Sequence, residues 1–391
     1  MAAPIQSSNP HIPQLQLVRA MAIIGVLSVH ATASATVTMK NSGAYFIYSA
    51  ANIFMKFGTP TFILLSSFVL FYSYYCRPIT MTLITSFYKK RLLYIILPYV
   101  CFSLIYFLIV QYVTHTPVFT RDSLDSLWTK LLTGKNYAHL YFVFISIQFY
   151  LLFPLLLWLA RMVPRFAYAL IPIGFAVQWA FVLYNNYVEL VPNKGSWSLS
   201  YFSYYMTGAA LGIYYPRLRE WVKSSSNKHR ASLLSLSLWA IWLGAAAVHV
   251  LMWYNARLYA VLYNPMLYEA MWNLHSLTSA LVLLQLAFLL YREKAWLTPL
   301  LSNLGELSFG IYLVHLVYLL AYERGIPAPS TGIAVHLWYL GGFILMLAAS
   351  WATVAVAARY IPQAWILLGR LPRAKAVRKN KEAEHQLITM T

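Results

Sequence analysis

Ten apolar runs, each long enough to cross a lipid bilayer, divide this 391-residue sequence. A bilayer core about 30 Å thick takes roughly 20 helical residues, because each adds 1.5 Å along the axis. The runs cover approximately residues 15–38, 47–74, 92–113, 138–160, 166–185, 199–216, 232–254, 271–291, 304–322 and 333–358. The sequence therefore predicts an all-α integral membrane protein with about ten transmembrane helices.

The charged residues predict how these helices are oriented. Hydrophobic residues make up 60% of the chain and charged ones only 10%, which excludes a soluble globular protein. The formal net charge of +19 does not indicate a nucleic-acid partner, because the basic residues fall in short clusters between the apolar runs. With the N-terminus inside, nineteen Lys and Arg lie in cytoplasmic segments and seven in outer loops. This positive-inside bias predicts that both termini are cytoplasmic.

The sequence predicts a single membrane domain with short flanking segments. Residues 1–14 form a cytoplasmic N-terminal segment, residues 15–358 the membrane domain, and residues 359–391 a basic cytoplasmic tail. A cleaved signal peptide ending in the small residues 31–35 is the alternative for the N-terminus. The absence of Lys and Arg before Arg19 argues against it, as does a histidine within the apolar run.

Ionisable side chains within a membrane span are costly, so each is a candidate for function. Arg19 and His30 lie in the first span, 11 residues apart. At 100° per residue they share one face of a helix and lie roughly 16 Å apart along its axis. This predicts Arg19 near the cytoplasmic end and His30 near the bilayer midplane. The structural alternatives are a snorkelling arginine and a histidine that only packs.

This pair suits chemistry on a substrate that is loaded from the cytoplasm. A neutral imidazole can take a proton from a hydroxyl, which is too weak an acid to attack unaided near neutral pH. A cation at the cytoplasmic end can hold an anionic donor such as a phosphate-bearing coenzyme.

The sequence also contains an ordered set of motifs: residues 17–30, 57–70, 88–91 followed by Pro98 and Tyr99, 139–142 with Gln148, Tyr150 and Pro154, and 304–315. Together these segments resemble the membrane acyltransferase-3 family, multi-pass bacterial enzymes that O-acylate extracytoplasmic glycans. The resemblance covers about residues 15–358. Ser67 stands where the family commonly has Gly, and Tyr94 where many members have a second Arg. A weaker resemblance is to the subgroup associated with succinylation of poly-N-acetylglucosamine.

The resemblance implies roles for particular residues. It makes His30 the catalytic base and Arg19 a residue that positions acyl-CoA. Lys90 and Arg91 are candidates to contact the donor phosphates, although they serve equally well as inside-positive anchors. The residues considered for orienting the base, stabilising the oxyanion or lining the acceptor side are Ser67, His139, Tyr312 and His315. His249, His275 and His336 are expected, like His139, toward the outer ends of their spans.

The function predicted from the sequence is transfer of an acyl group, acetyl or succinyl, from cytoplasmic acyl-CoA to a glycan hydroxyl outside the membrane. The expected partners are acyl-CoA, the glycan and membrane lipids, in a bacterial cell membrane, with oligomeric state left open. No permanently bound cofactor and no metal are expected, since no span pairs His with a carboxylate at i, i+3 or i, i+4. The alternatives are a polysaccharide or small-molecule exporter without acyl chemistry, and an enzyme whose acceptor lies in the bilayer.

Overall fold

The computed structural model describes residues 11–330 and 332–372. Most of the predicted N-terminal segment and the tail beyond residue 372 lie outside the described residues. The described part of the chain is helical and contains no strand, which confirms the all-α membrane class. Its main helices are α1 (Gln14–Ala31), α2 (Tyr45–Phe54), α3 (Gly58–Tyr74), α4 (Met81–Arg91), α5 (Leu97–Thr114), α6 (Arg121–Leu131), α7 (Tyr141–Met162), α8 (Leu170–Tyr187), α9 (Phe202–Lys223), α10 (Lys228–Tyr259), α11 (Pro265–Arg292), α12 (Thr298–Gly325) and α13 (Ile333–Tyr360).

Eight helical stretches in the described residues are long and apolar enough to cross a membrane. They are α1, α2 with α3, α4 with α5, α7, α10, α11, α12 and α13. The predicted spans 166–185 and 199–216 are present as α8 and α9 but are not among the eight. The last two turns of α9 carry several charged side chains, which lower its hydropathy. The count of ten spans and the cytoplasmic termini stay predictions.

The first helix is shorter than the sequence suggests. It ends at Ala31, whereas the predicted span continued to residue 38. The Thr32 hydroxyl donates to the Ser28 carbonyl oxygen at 2.7 Å, and the Thr36 hydroxyl donates to the Ala33 carbonyl oxygen at 2.7 Å. Such side-chain bonds to the backbone favour turns over a continued helix. His30 therefore lies in the last turn of α1 and not in the middle of a longer helix.

The described residues form two compact units that are discontinuous in sequence. The first unit contains the described residues up to Ile84 together with Ile145–Ser302. The second unit contains Thr85–Phe144 and the described residues from Asn303 onward. The first unit thus holds α1–α3, most of α7, and α8–α11. The second unit holds most of α4, α5, α6, most of α12, and α13.

Small residues let α3 and α9 pack with their backbones almost in contact. Gly208 and Gly212 are four residues apart on α9 and so face α3 together. A Cβ on Gly212 would lie 2.5 Å from the Phe68 carbonyl oxygen, and one on Gly208 would overlap the Leu64 carbonyl oxygen. This close pairing forms the centre of the first unit.

The start of α1 is fixed in the first unit by an apolar cluster. Its buried members come from α1, α3 and α11 and the residue before α1: Ile12, Leu15, Leu17, Val18, Leu65, Phe68 and Ala287. Further along α1, a Cβ on Gly58 would lie 2.6 Å from Val26 Cγ2 and 2.9 Å from the Ala22 carbonyl oxygen. Helix α3 therefore runs antiparallel to α1, and α1 is held along its length.

In the second unit, α4 continues into α5 through a π-helical turn at Leu92–Ile96. Pro98, which lacks an N–H, cannot donate to the carbonyl four residues earlier, that of Tyr94. A local π-helical turn is one way in which a membrane helix satisfies the backbone groups that a proline leaves free. Gly369 approaches that carbonyl so closely that a Cβ on it would lie 2.7 Å from the Tyr94 oxygen.

Candidate functional site

Helix α1 carries both residues that the sequence singled out first. Arg19 is half-buried near the start of the helix, and its Nη1 donates to Gln16 Oε1 at 3.1 Å. His30 is half-buried in the last turn. Because α1 is one continuous helix from Gln14 to Ala31, the two residues keep the common face expected from their spacing.

The last turn of α1 is tied to α2 by Asn52, which is only 4% exposed. Asn52 Nδ2 donates to the carbonyl oxygen of Val29 at 3.0 Å and to Thr32 Oγ1 at 3.2 Å. Its Oδ1 accepts from Nη2 of Arg257, on α10, at 2.9 Å. Three helices of the first unit therefore meet at the end of α1 that carries His30.

Two cations lie against one tryptophan ring near this junction. The Lys56 ammonium is 4.9 Å from the centroid of the Trp253 ring, and the Arg257 guanidinium carbon is 5.5 Å from it. Arg257 Nη1 also donates to Ser49 Oγ at 3.3 Å. Lys56 belongs to the short 3₁₀ turn between α2 and α3, which brings its side chain back toward α10.

A histidine pair completes the group of polar side chains. Nδ1 of His249, on α10, lies 3.0 Å from Nδ1 of His275, on α11. One Nδ1 must donate and the other accept, so two neutral rings in this contact are different tautomers. Both rings are buried, with 1% and 0% exposure. We call Asn52, Lys56, His249, Arg257 and His275 the polar cluster.

Sequence reasoning missed most of the polar cluster. It placed His249 and His275 toward the outer ends of their spans but did not pair them. Lys56 falls within the apolar run 47–74 and Arg257 just after the run 232–254, and no function was predicted for either. These residues come from four elements, and no short-range spacing in a single sequence links them.

The second unit brings together three of the predicted site residues. Its His139 and His315 rings lie 5.1 Å apart between centroids, and Tyr312 is 5.1 Å from His139. The Tyr312 hydroxyl donates to the His139 carbonyl oxygen, and His315 Nδ1 lies 2.7 Å from the Tyr312 carbonyl oxygen. Tyr106 lies 5.0 Å from His139 and stacks on Tyr137 at 4.4 Å. We call these five residues the aromatic cluster.

The remaining predicted residues lie elsewhere in their units. Ser67 is fully buried on the face of α3 that meets α9, and a Cβ on Gly208 would lie 3.0 Å from its Cβ. Lys90 and Arg91 end α4 in the second unit; Lys90 is exposed, and Arg91 lies over the Phe87 ring at 5.2 Å. The roles of these three residues stay predictions.

Within the described ranges, no group of three or more His, Cys, Asp or Glu side chains could hold a metal ion. The histidine pair of the polar cluster has Lys56 and Arg257 as its charged neighbours. Cationic neighbours disfavour a bound metal cation, so this arrangement suits the binding of a negatively charged group.

Comparison with known families assigns the chain. A family model described as an acyltransferase domain, that of the acyltransferase-3 family, matches residues 12–355. Comparison with curated proteins and with solved structures gives no match. The match spans nearly all of the predicted membrane domain and both units of the structure. The chain therefore belongs to the acyltransferase-3 family and is a membrane acyltransferase that transfers acyl groups other than aminoacyl groups.

Proposed function

We propose that the protein transfers an acetyl or succinyl group from cytoplasmic acyl-CoA to a hydroxyl of a glycan outside the membrane. The observation that carries this proposal is the arrangement of Arg19 and His30 at opposite ends of one continuous helix. The Arg19 cation suits a donor that enters from its side of the membrane. The His30 imidazole suits an acceptor that arrives from the opposite side. The predicted topology makes the Arg19 end cytoplasmic.

In the proposed reaction His30 acts as the general base. Its imidazole takes the proton of the acceptor hydroxyl, and the oxygen attacks the thioester carbonyl carbon. The resulting tetrahedral oxyanion collapses, the carbon–sulfur bond breaks, and the ester remains on the glycan. The departing thiolate takes the proton back from His30, so the products are the acylated glycan and free CoA.

Arg19 binds the donor in this proposal. Its guanidinium carries a fixed positive charge and offers several N–H donors, which match the phosphate oxygens of CoA. The axial separation of roughly 16 Å leaves the acyl end of an extended donor to approach His30. Lys90 and Arg91 are further candidates for phosphate contacts, and Ser67, His139, Tyr312 and His315 for orienting or acceptor-side roles.

The test is mass spectrometry of cell-surface glycans from matched bacterial cells that express the wild type, His30→Ala or Arg19→Ala. Amounts of protein in the membrane are equalised first. We expect an acyl mass shift with the wild type, none with His30→Ala, and a shift reduced at least tenfold with Arg19→Ala. His229→Ala is the matched control, because His229 is an exposed histidine at the start of α10. It should acylate as the wild type does.

Two outcomes contradict the proposal. If the His30→Ala variant still acylates the glycan fully, His30 is not the general base. Loss of total surface glycan in the variants, without an acyl mass shift in the wild type, favours the exporter alternative.

A further inference from the structure

The polar cluster holds two positive charges that no acidic side chain of the described residues neutralises. Lys56 and Arg257 lie close enough for their charges to repel. Ion pairs form elsewhere in the described residues, for example between Lys194 and Glu269 and between Arg292 and Glu293, but neither Lys56 nor Arg257 has an acidic partner there. The Trp253 ring attracts both cations but carries no net charge. The two charges therefore remain uncompensated in a half-buried site, where charges are normally paired.

Arg257 has more hydrogen-bond donors than its observed partners use. Nη1 donates to Ser49 and Nη2 to Asn52, both through neutral oxygens. A guanidinium has five N–H groups and an ammonium has three. The cluster can therefore offer several N–H donors to one incoming group. Carboxylate and phosphate oxygens match this arrangement best, because they carry the opposite charge and accept several such bonds.

The cluster lies at the end of α1 that carries His30. Asn52 bonds both to Arg257 and to the carbonyl oxygen of Val29, the residue before His30. Lys56 directly follows Met55, whose carbonyl oxygen lies 3.2 Å from the position of a Cβ on Gly25. Both cations therefore flank the half of α1 that ends at His30.

A buried polar atom in the histidine pair is a second, independent feature. His275 is fully buried, and its Nε2 has no hydrogen-bond partner among the described residues. Its Nδ1 contacts His249, which is within electrostatic range of Lys56 and Arg257. A buried nitrogen without a partner costs free energy unless a bound group or water satisfies it.

A role as simple interfacial anchors fits this geometry poorly. Anchoring cations extend toward headgroups and water. Here both cations turn toward one ring, and Arg257 contacts Ser49 and Asn52, which are 0% and 4% exposed.

We propose that Lys56 and Arg257 bind an oxyanion, a carboxylate or phosphate group, carried by a substrate or lipid that reaches the His30 end of α1. This deepens the proposed function and rests on it only for the position of the reacting centre. An anion held there would place the molecule that carries it beside the imidazole.

The direct test is binding of small anions to the purified full-length protein in an uncharged detergent. Isothermal titration uses succinate as the carboxylate probe and inorganic phosphate as the second probe. Succinamide, which has a similar shape but no charge, is the ligand control. We expect saturable binding of both anions, and none of succinamide.

The variants separate charge from fold. Lys56→Met with Arg257→Gln should weaken anion binding at least tenfold, while Lys56→Arg should stay within threefold of the wild type. Lys40→Met removes an exposed charge in the first unit and should bind as the wild type does. Where the double variant fails to fold, Lys56→Met alone carries the test, because Lys56 contacts the face of the Trp253 ring and has no hydrogen bond among the described residues that the substitution would break.

Two further measurements identify where the anion comes from. The first measurement compares probe binding in nanodiscs of phosphatidylglycerol and of phosphatidylcholine. If a lipid headgroup occupies the site, phosphatidylglycerol should block probe binding. The second measurement compares the rate of thioester consumption with succinyl-CoA, whose acyl group carries a carboxylate, and with butyryl-CoA, whose acyl group does not. If the site binds the acyl carboxylate, the wild type prefers succinyl-CoA and the double variant loses that preference. If the double variant loses anion binding but keeps the preference for succinyl-CoA, the anion belongs to the acceptor or to a lipid.

The proposal is overturned if the folded double variant binds both anions as the wild type does. It is also overturned if the wild type binds them no better than succinamide. The binding assay requires no turnover, so anion binding by His30→Ala is informative even if that variant retains acylation. Failure of the proposed function and failure of this inference therefore give different results.

Discussion

The two units each contain a buried histidine pair, but the surroundings of the pairs differ. In the first unit, His249 and His275 lie beside Lys56 and Arg257, and hydrogen bonds from Asn52 connect this cluster to α1. In the second unit, His139 and His315 lie among the rings of Tyr106, Tyr137 and Tyr312. In the sequence all four histidines fall within apolar runs, and nothing there indicates these different surroundings.

The difference shows that neighbours decide what a buried histidine can do. A ring packed edge-on against aromatic rings contributes mainly contact area and ring–ring attraction. A histidine beside uncompensated cations belongs to an electrostatic site, whose energy changes with the charge of a bound group. We therefore expect packing to dominate the aromatic cluster, and hydrogen bonds and charge to dominate the polar cluster.

The largest expected effect is on packing in the aromatic cluster. Tyr106→Ala should lower the free energy of unfolding by about 3–5 kcal/mol, because it removes a fully buried ring stacked on Tyr137. Tyr106→Phe, which loses only the bond from the hydroxyl to the Leu313 carbonyl oxygen, should cost about 1 kcal/mol. Equilibrium unfolding in mixed micelles measures both. Equal losses in the two variants would mean that the hydroxyl, and not the ring, stabilises this cluster.

A smaller effect is expected from the hydrogen bonds that reach α1. Asn52→Ala removes one acceptor and two donor contacts between α1, α2 and α10, and should cost about 2 kcal/mol. Anion binding should also weaken several-fold, because Arg257 loses the amide that orients it. The same unfolding and titration experiments test this. If the Asn52→Ala protein is destabilised but binds anions normally, anion binding does not depend on the hydrogen bonds of Asn52.

The contact between His249 and His275 should contribute about 1 kcal/mol. His249→Leu and His275→Leu each leave the other ring without its partner, whereas the double variant replaces both polar groups. A double-mutant cycle measured by unfolding should therefore give a coupling free energy of that size. Coupling near zero would show that the 3.0 Å contact does not stabilise the first unit.

The smallest expected effect depends on pH. Burial is the main cause that raises the pKa of Tyr137 above its ordinary value of 10.0, with a smaller contribution from Glu323. A raised pKa in the folded state means that stability is complete below pH 10.0 and falls as pH rises through the folded pKa. Tyr137→Phe should therefore match the wild type within about 0.5 kcal/mol at pH 7 and lose less stability above pH 10. Identical profiles for the two proteins at high pH would contradict this.

The sequence predicted the membrane class correctly because that prediction depends on composition and run length, which are local properties. The resemblance based on residues 17–30 and 304–315 is likewise confirmed by the family match over residues 12–355. The end of α1 was placed too late, because an apolar run does not show where Ser and Thr side chains turn the backbone. The single membrane domain over residues 15–358 and the site roles stay predictions.

The polar cluster was beyond the reach of sequence reasoning for a physical reason. Lys56, Arg257 and the histidine pair come from different helices, so their proximity depends on how those helices pack. That packing is set in part by glycines such as Gly58, whose missing side chain lets α3 approach α1. A glycine in a helical run gives no indication from sequence alone of which neighbour it admits.

The contact between α3 and α9 also limits how this chain can vary. At Gly208 and Gly212 any side chain would meet main-chain atoms of α3, which cannot rotate aside as a side chain does. In a scan of all single substitutions, these two positions should accept almost nothing but glycine, while exposed positions on the same helix tolerate many residues. Replacing either glycine requires compensating substitutions on both helices. The amino-acid sequence at this contact is therefore expected to change more slowly in evolution than the sites it supports.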